Sequence, residues 1–233
     1  MTWNPNPLNP TQSQAPARPA TQAAYLTQAF GWMFAGLLLT AGVAALVQTN
    51  ESLINFAGSN FLLLFFGQLA VVWVISLGIG RMNATVALGL FFVYAASLGL
   101  TVGLIVSFYT TASVATAFLS ASAMFGGAAL YGATTKRSLV GIGGFLSMAL
   151  FGLIVAILVN MFLAGGTLGL IISIVGVVLF TVLTAYNVQR IQAGDLVAAY
   201  GSVEKASVIG ALSLYLDFIN LFLFLLRIFG SRR

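Results

Sequence analysis

Asp217 is the only Asp, Glu, Lys or Arg near the middle of an apolar run in this chain, within Leu214-Tyr215-Leu216-Asp217-Phe218-Ile219-Asn220-Leu221-Phe222. A charged side chain at mid-membrane costs at least ~2.5–3.5 kcal/mol on insertion scales, so such a residue faces a bundle interior or an aqueous cavity. There it is the default candidate for handling ions or protons. At helical spacing Ser213, Asn220 and Phe224 fall on its side, giving a narrow polar strip on an otherwise apolar helix. Such a strip offers hydroxyl, carboxamide and carboxylate oxygens. The plainer role for Asp217 is a hydrogen bond that ties helices together. A second candidate is Ala185-Tyr186-Asn187-Val188-Gln189-Arg190-Ile191, where Asn187 and Arg190 share a face. Arg190 can snorkel to an interface, which would make this an ordinary helix end with an interfacial Tyr and Arg. Gln68 reads as an interhelical hydrogen-bonding group, and Asp195 and Glu204 as solvated loop charge.

Much other chemistry is excluded. The chain has no Cys, hence no disulfide, thiolate metal site or Cys nucleophile, and no His, the commonest general base and zinc ligand. A Ser-His triad cannot be built. Intramembrane aspartyl proteolysis needs two carboxylates deep in the bilayer, and only Asp217 qualifies. The expected protein is not an enzyme, carries no cofactor and has no firm metal site.

The elements that hold these residues follow from composition. Of the 233 residues 60% are hydrophobic and 6% charged, with a mean hydropathy of +1.05. An average soluble domain is about 25% charged, so the solvent that suits this surface is a lipid bilayer. Seven apolar runs are long enough to cross it, at 28–48, 60–80, 84–107, 112–132, 139–161, 167–188 and 206–229. Runs such as Leu62-Leu63-Leu64-Phe65-Phe66 do not alternate, which favours helices over a closed barrel. The fold class is therefore all-α and polytopic. Residues 1–20, rich in Pro, Asn, Thr and Gln, read as a disordered cytoplasmic tail, and residues 21–233 as one transmembrane domain.

Charge gives the orientation. Arg18, Arg81, Lys136, Arg137, Arg190 and Lys205 all fall on one side of the seven spans. That side is cytoplasmic by the positive-inside rule, so the net charge of +5 reports topology rather than nucleic-acid binding. Arg232 and Arg233 break the pattern if the seventh run crosses fully, which its length favours and which puts the C-terminus outside; a re-entrant segment would return them to the cytoplasm. Ala95, Gly99, Gly103 and Ser107 recur every four residues along the third run, a small-residue stripe suited to close helix packing. Gly141, Gly143 and Gly144 at the start of the fifth suggest close approach or a flexible entry.

The stretch Ala211 to Arg227, containing Ser213-Leu214-Tyr215-Leu216-Asp217-Phe218-Ile219-Asn220, resembles the C-terminal signature of the Bax inhibitor-1 (transmembrane Bax inhibitor motif) family, bacterial branch. Phe30-Gly31-Trp32-Met33 through Gly36 to Ala41 is similar to that family's first helix, and Ala87-Leu88-Gly89-Leu90-Phe91-Phe92 through Gly99-Leu100 to its third. The resemblance implies six helices around a central seventh, in a bacterial inner membrane. It also implies a pH-sensitive calcium leak, in which an aspartate at the end of helix six and one in helix seven share a proton and gate the path. Asp217 matches the second of these, which makes it the candidate for transient contact with Ca²⁺; that hard cation takes oxygen ligands, and one carboxylate is a thin site for it. The first belongs to a Tyr-Asp pair, and Tyr186-Asn187 stands in its place. Two close carboxylates repel and titrate together; an Asn removes the repulsion and can donate a hydrogen bond, so Asp217 is expected to titrate alone, with pH gating lost or altered. The family link also implies an alternative role, regulation of a membrane-bound protease through contacts that the Pro-rich tail would suit.

Overall fold

The computed structural model describes residues 19–163 and 166–231, with side chains from Ala24 onward. Most of the expected tail, together with Arg18, Arg232 and Arg233, lies outside the described residues. The described chain is helical, with no strand: α1 (Pro19–Thr49), α2 (Glu51–Ser59), α3 (Phe61–Gly78), α4 (Ala84–Ser107), α5 (Thr111–Thr134), α6 (Gly143–Leu163), α7 (Gly166–Ala193), α8 (Asp195–Tyr200) and α9 (Val203–Phe229), with a 3-10 turn at Val140–Ile142. Seven of these carry stretches long and apolar enough to cross a membrane, namely α1, α3, α4, α5, α6 with its leading turn, α7 and α9.

The two helices that do not cross fill connections. α2 occupies the link between the first two spans, and the Asn50 side chain caps it by accepting from the backbone N–H groups of Ser52 and Leu53. α8 is a single turn and a half between Gly194 (φ +80°) and Gly201 (φ +70°). Both glycines take the left-handed conformation that side chains with a Cβ avoid, so the chain stops and restarts there.

In a bilayer, lipid tails are as apolar as Leu, so helices associate through close packing and interhelical hydrogen bonds. Burial is accordingly uneven. In its most apolar stretch, 78% of the residues of α9 are inside the protein, against 11% for α3 and 17% for the α6 span. α9 packs against α1, α4, α5 and α7, while α3 lies chiefly on α4 and α6 chiefly on α7. It is one unbroken helix of 27 residues. At a rise of about 1.5 Å per residue that is long enough to traverse the hydrocarbon core, and it does not turn back. Its last turn reaches the α4–α5 corner, where the Ser231 N–H donates to Ser113 Oγ at 2.9 Å and the Thr110 N–H to the Ser231 carbonyl at 3.2 Å.

Small residues set the closest approaches. The stripe on α4 faces α1: a Cβ added at Gly99 would lie 2.6 Å from Val43 Cβ and 2.9 Å from the Thr40 carbonyl, and one at Gly103 would lie 2.7 Å from Val47 Cβ. Ala95 is fully buried on the same side, and Ser107 closes the stripe by bonding its own helix at the Leu104 carbonyl. Gly132 plays the equivalent part between α5 and α7, where a Cβ would strike the Ala185 carbonyl. Of the three glycines at the start of this span, Gly143 meets the Tyr186 hydroxyl, while Gly141 and Gly144 face open space. Gln68 does link two helices, donating to the Ser97 carbonyl and to Thr101 Oγ1.

Candidate functional site

One face of α9 carries Asp217, Phe224 and Arg227, spaced seven and three residues apart, and that face is turned to α7. Asp217 is 3% exposed. Its Oδ2 accepts a hydrogen bond of 2.7 Å from Asn187 Nδ2, across the α7–α9 interface. The two residues that stand out in separate stretches of sequence therefore meet. Two turns further along, the ring of Phe224 lies where a Cβ at Gly176 would be, and packs 6.0 Å from Phe180. Beyond it the Arg227 guanidinium covers Gly169. Two glycines of α7 thus make room for the large side chains of this face, which brings the backbones close enough for a short carboxamide to reach the carboxylate.

The other members of the strip behave differently. Ser213 Oγ donates to the Ile209 carbonyl at 2.9 Å, and Asn220 Nδ2 to the Leu216 carbonyl at 2.8 Å, so both donors close on their own helix. Their oxygens still point the strip toward polar character, but neither residue bonds Asp217. Arg190 lies one turn below Asn187, half-buried, close enough to act electrostatically on Tyr25, as do Asp195 and Tyr200. It does not join the Asp217 pair.

The rotation of α9 that presents Asp217 to α7 is held from the other sides. Phe218 stacks edge-on with Phe118 and Phe125 of α5 at 5.7 and 5.6 Å, and Tyr215 does so with Phe91 and Tyr94 of α4 at 5.4 and 5.9 Å. Such edge-to-face pairs contribute about 0.5–1.5 kcal/mol each beyond their packing area. The Tyr215 hydroxyl sits 2.6 Å from Thr40 Oγ1 of α1. Thr40 in turn reaches the Ala95 carbonyl at 2.9 Å and the Gly36 carbonyl at 3.0 Å. Carbonyls only accept, so Thr40 gives its one proton to them and the Tyr215 O–H donates to Thr40. This α1–α4–α9 knot was not singled out in the sequence. Tyr215 lies two residues from Asp217 and so on the far side of α9, and no local pattern joins it to a threonine 175 residues away. The one available hint is that Thr40 falls in the segment similar to the family's first helix.

Among the described residues no three His, Cys, Asp or Glu side chains converge on a common point. A cation arriving at Asp217 would find one carboxylate oxygen pair, the Asn187 carboxamide and the oxygens of the strip. That donor set suits a brief stop rather than a cage, since Ca²⁺ takes six to eight oxygens.

Comparison with known proteins agrees with the sequence resemblance over nearly the whole chain. The family model described as inhibitor of apoptosis-promoting Bax1 matches residues 22–233. The inner membrane protein YbhL of Escherichia coli K12 is 45% identical over 215 residues, covering 90% of this chain and 92% of that protein. A protein of Deinococcus radiodurans is 45% identical over 209 residues, covering 89% and 90%, and YrjE of Lactococcus lactis 40% identical over 214, covering 89% and 90%. With its seven membrane-length helices, this chain belongs to the Bax inhibitor-1-like family of multi-pass membrane proteins.

Proposed function

We propose that the protein is a calcium leak pathway of a bacterial inner membrane, and that ions pass along the α7-facing side of α9 under control of the Asp217–Asn187 pair. The observation that carries this reading is a carboxylate buried in the most enclosed helix and bonded by a residue of a second helix. An intramembrane acid is expensive, so its retention at this depth points to work on ions or protons. The hydrogen bond closes the strip, and conduction requires α7 and α9 to part there. The ends of the spans that bear Arg81, Lys136, Arg137, Arg190 and Lys205 face the cytoplasm, in keeping with the positive-inside rule, and the end of α9 faces outward. The printed name of the E. coli relative, an inner membrane protein, suits the same compartment.

The test is Ca²⁺ entry into liposomes holding the purified protein, read with an enclosed indicator dye against protein-free liposomes. Entry above the protein-free rate supports the leak. A folded, correctly inserted protein that admits no Ca²⁺ between pH 6 and 8 defeats it. Regulation of a membrane protein partner through residues 1–20 then becomes the better reading, and deleting those residues examines it directly.

A further inference from the structure

The short helix α8 links α7 to α9 and packs on both, the two helices that carry Asn187 and Asp217. Its flanking residues are glycines at positive φ, Gly194 and Gly201, and neither has an atom within 4 Å of where its Cβ would be. No crowding therefore locks either joint. One side chain of α8 is fully seated in the protein: Leu196 is 3% exposed, while Ala198 and Ala199 are exposed. At the same end of the molecule, on α1, the Tyr25 side chain is 2% exposed and its hydroxyl is buried with no hydrogen-bond partner. Arg190 of α7 and Asp195 and Tyr200 of α8 lie within electrostatic reach of Tyr25, yet none of them bonds its hydroxyl. A tyrosine hydroxyl can donate one hydrogen bond and accept others, and in water it does both. Burying it unpaired is unfavourable, and the penalty is relieved as soon as water reaches it. The arrangement at this end thus combines a dry, unpaired hydroxyl with a neighbouring short helix on two unobstructed joints.

We propose that α8 is a hinged lid over the cytoplasmic end of the α1–α7–α9 contact, which turns on Gly194 and Gly201, lifts Leu196 from its seat and lets water reach the Tyr25 hydroxyl. Two side chains set its balance. Leu196 holds the lid down, because lifting it exposes apolar surface to water. Tyr25 works against it as a spring: its hydroxyl is unpaired with the lid down and hydrated with the lid up. Glycine holds a positive φ without strain, so the lid-down arrangement is open to both joints, and the same freedom lets them leave it. Arg190 lies on the lid side of Asn187, one helical turn away. Lifting the lid therefore shortens the dry stretch between the cytoplasm and the Asp217–Asn187 bond. Use of the lid as an inner gate for calcium rests on there being a leak; its motion does not.

The chain contains no Cys, so one introduced thiol is a unique reporter. Full-length Leu196→Cys and Ala198→Cys proteins are reconstituted in nanodiscs and labelled with a water-soluble maleimide. Ala198→Cys, on the exposed side of α8, gives the unhindered rate. Leu196→Cys is expected to react far more slowly, yet to completion. Adding Tyr25→Phe removes the hydroxyl and keeps the ring, and should slow Leu196→Cys at least about fivefold while leaving Ala198→Cys unchanged. A tyrosine that served only as packing would leave the Leu196→Cys rate as it was or raise it. A second readout keeps Leu196 in place: spin labels on Ala198→Cys and Thr134→Cys, both exposed sites, should give two separations, and Tyr25→Phe should shift the population to the one that matches the structure. Leu196→Cys labelling as fast as Ala198→Cys, no slowing in Tyr25→Phe, or a single separation that Tyr25→Phe leaves unchanged would each overturn the proposal. If the lid moves as expected and the wild type admits no Ca²⁺, the lid stands and the leak falls.

Discussion

Removing the Asn187 side chain isolates the hydrogen bond on which the reading of this protein rests. Asn187→Ala leaves Asp217 in place, 3% exposed, with the 2.7 Å donor gone. A hydrogen bond to a charged group is worth about 1.5–3 kcal/mol in water-soluble proteins. Interhelical bonds inside membranes average about 0.6 and reach about 1.7 kcal/mol, because the separated helices find other partners. Asp217 is more enclosed than most such groups, which places the loss at about 1–2 kcal/mol. Truncation also opens a small gap, and that part is independent of the carboxylate. A double-mutant cycle removes it: Asn187→Ala, Asp217→Ala and the double variant are unfolded reversibly in mixed micelles by increasing denaturing detergent. Asn187→Ala should be costly in the wild type and nearly free of cost once Asp217 is gone, giving a coupling energy of about 1–2 kcal/mol. Sites that do not interact add to within about 0.3–0.5 kcal/mol. Coupling inside that margin would mean that the two side chains do not hold α7 to α9.

Other consequences can be measured in the same system. Tyr215→Phe removes the donor to Thr40 while leaving the ring against Phe91 and Tyr94, and should cost about 0.6–1.5 kcal/mol of detergent stability; Thr40→Val on top should cost more again, because it also removes the bond from Thr40 to the Ala95 carbonyl of α4. Gly132→Ala drives a methyl group onto the Ala185 carbonyl, which is backbone and cannot swing aside; a loss of about 1–3 kcal/mol is expected, whereas Gly126→Ala on the same helix, facing open space, should be neutral. Asn187→Asp places a second carboxylate against Asp217, so the two titrate as a pair, and Ca²⁺ flux measured from pH 6 to 8 should depend more steeply on pH than in the wild type. An unchanged pH profile in that variant would argue against any proton-linked role for this pair.

The spans were legible because a bilayer imposes a length and a composition that leave little choice. The fourth helix, Ala84–Ser107, has the limits read from the sequence, and α9 begins three residues earlier than its apolar run. What hydropathy could not reveal was short structure outside the hydrocarbon. α2 and α8 are too brief to carry an apolar signal, and α8 depends on two glycines at positive φ that look like any other loop glycines. Asp217 stood out because ionisable residues are scarce at mid-membrane, and Asn187 because it occupies the place of a familiar acid. The Thr40–Tyr215 knot was hidden: threonine and tyrosine are unremarkable in membrane helices, and only the fold shows that they meet.

Asp217→Ala tests the central claim most directly. Wild-type protein and this variant would be reconstituted at equal density and orientation into liposomes, and Ca²⁺ entry followed at one pH with an enclosed dye. A change in the entry rate, with the variant folded and inserted as the wild type is, is the result that a path controlled by this carboxylate predicts. Identical Ca²⁺ entry in the two would contradict it and leave Asp217 as a tie between α7 and α9.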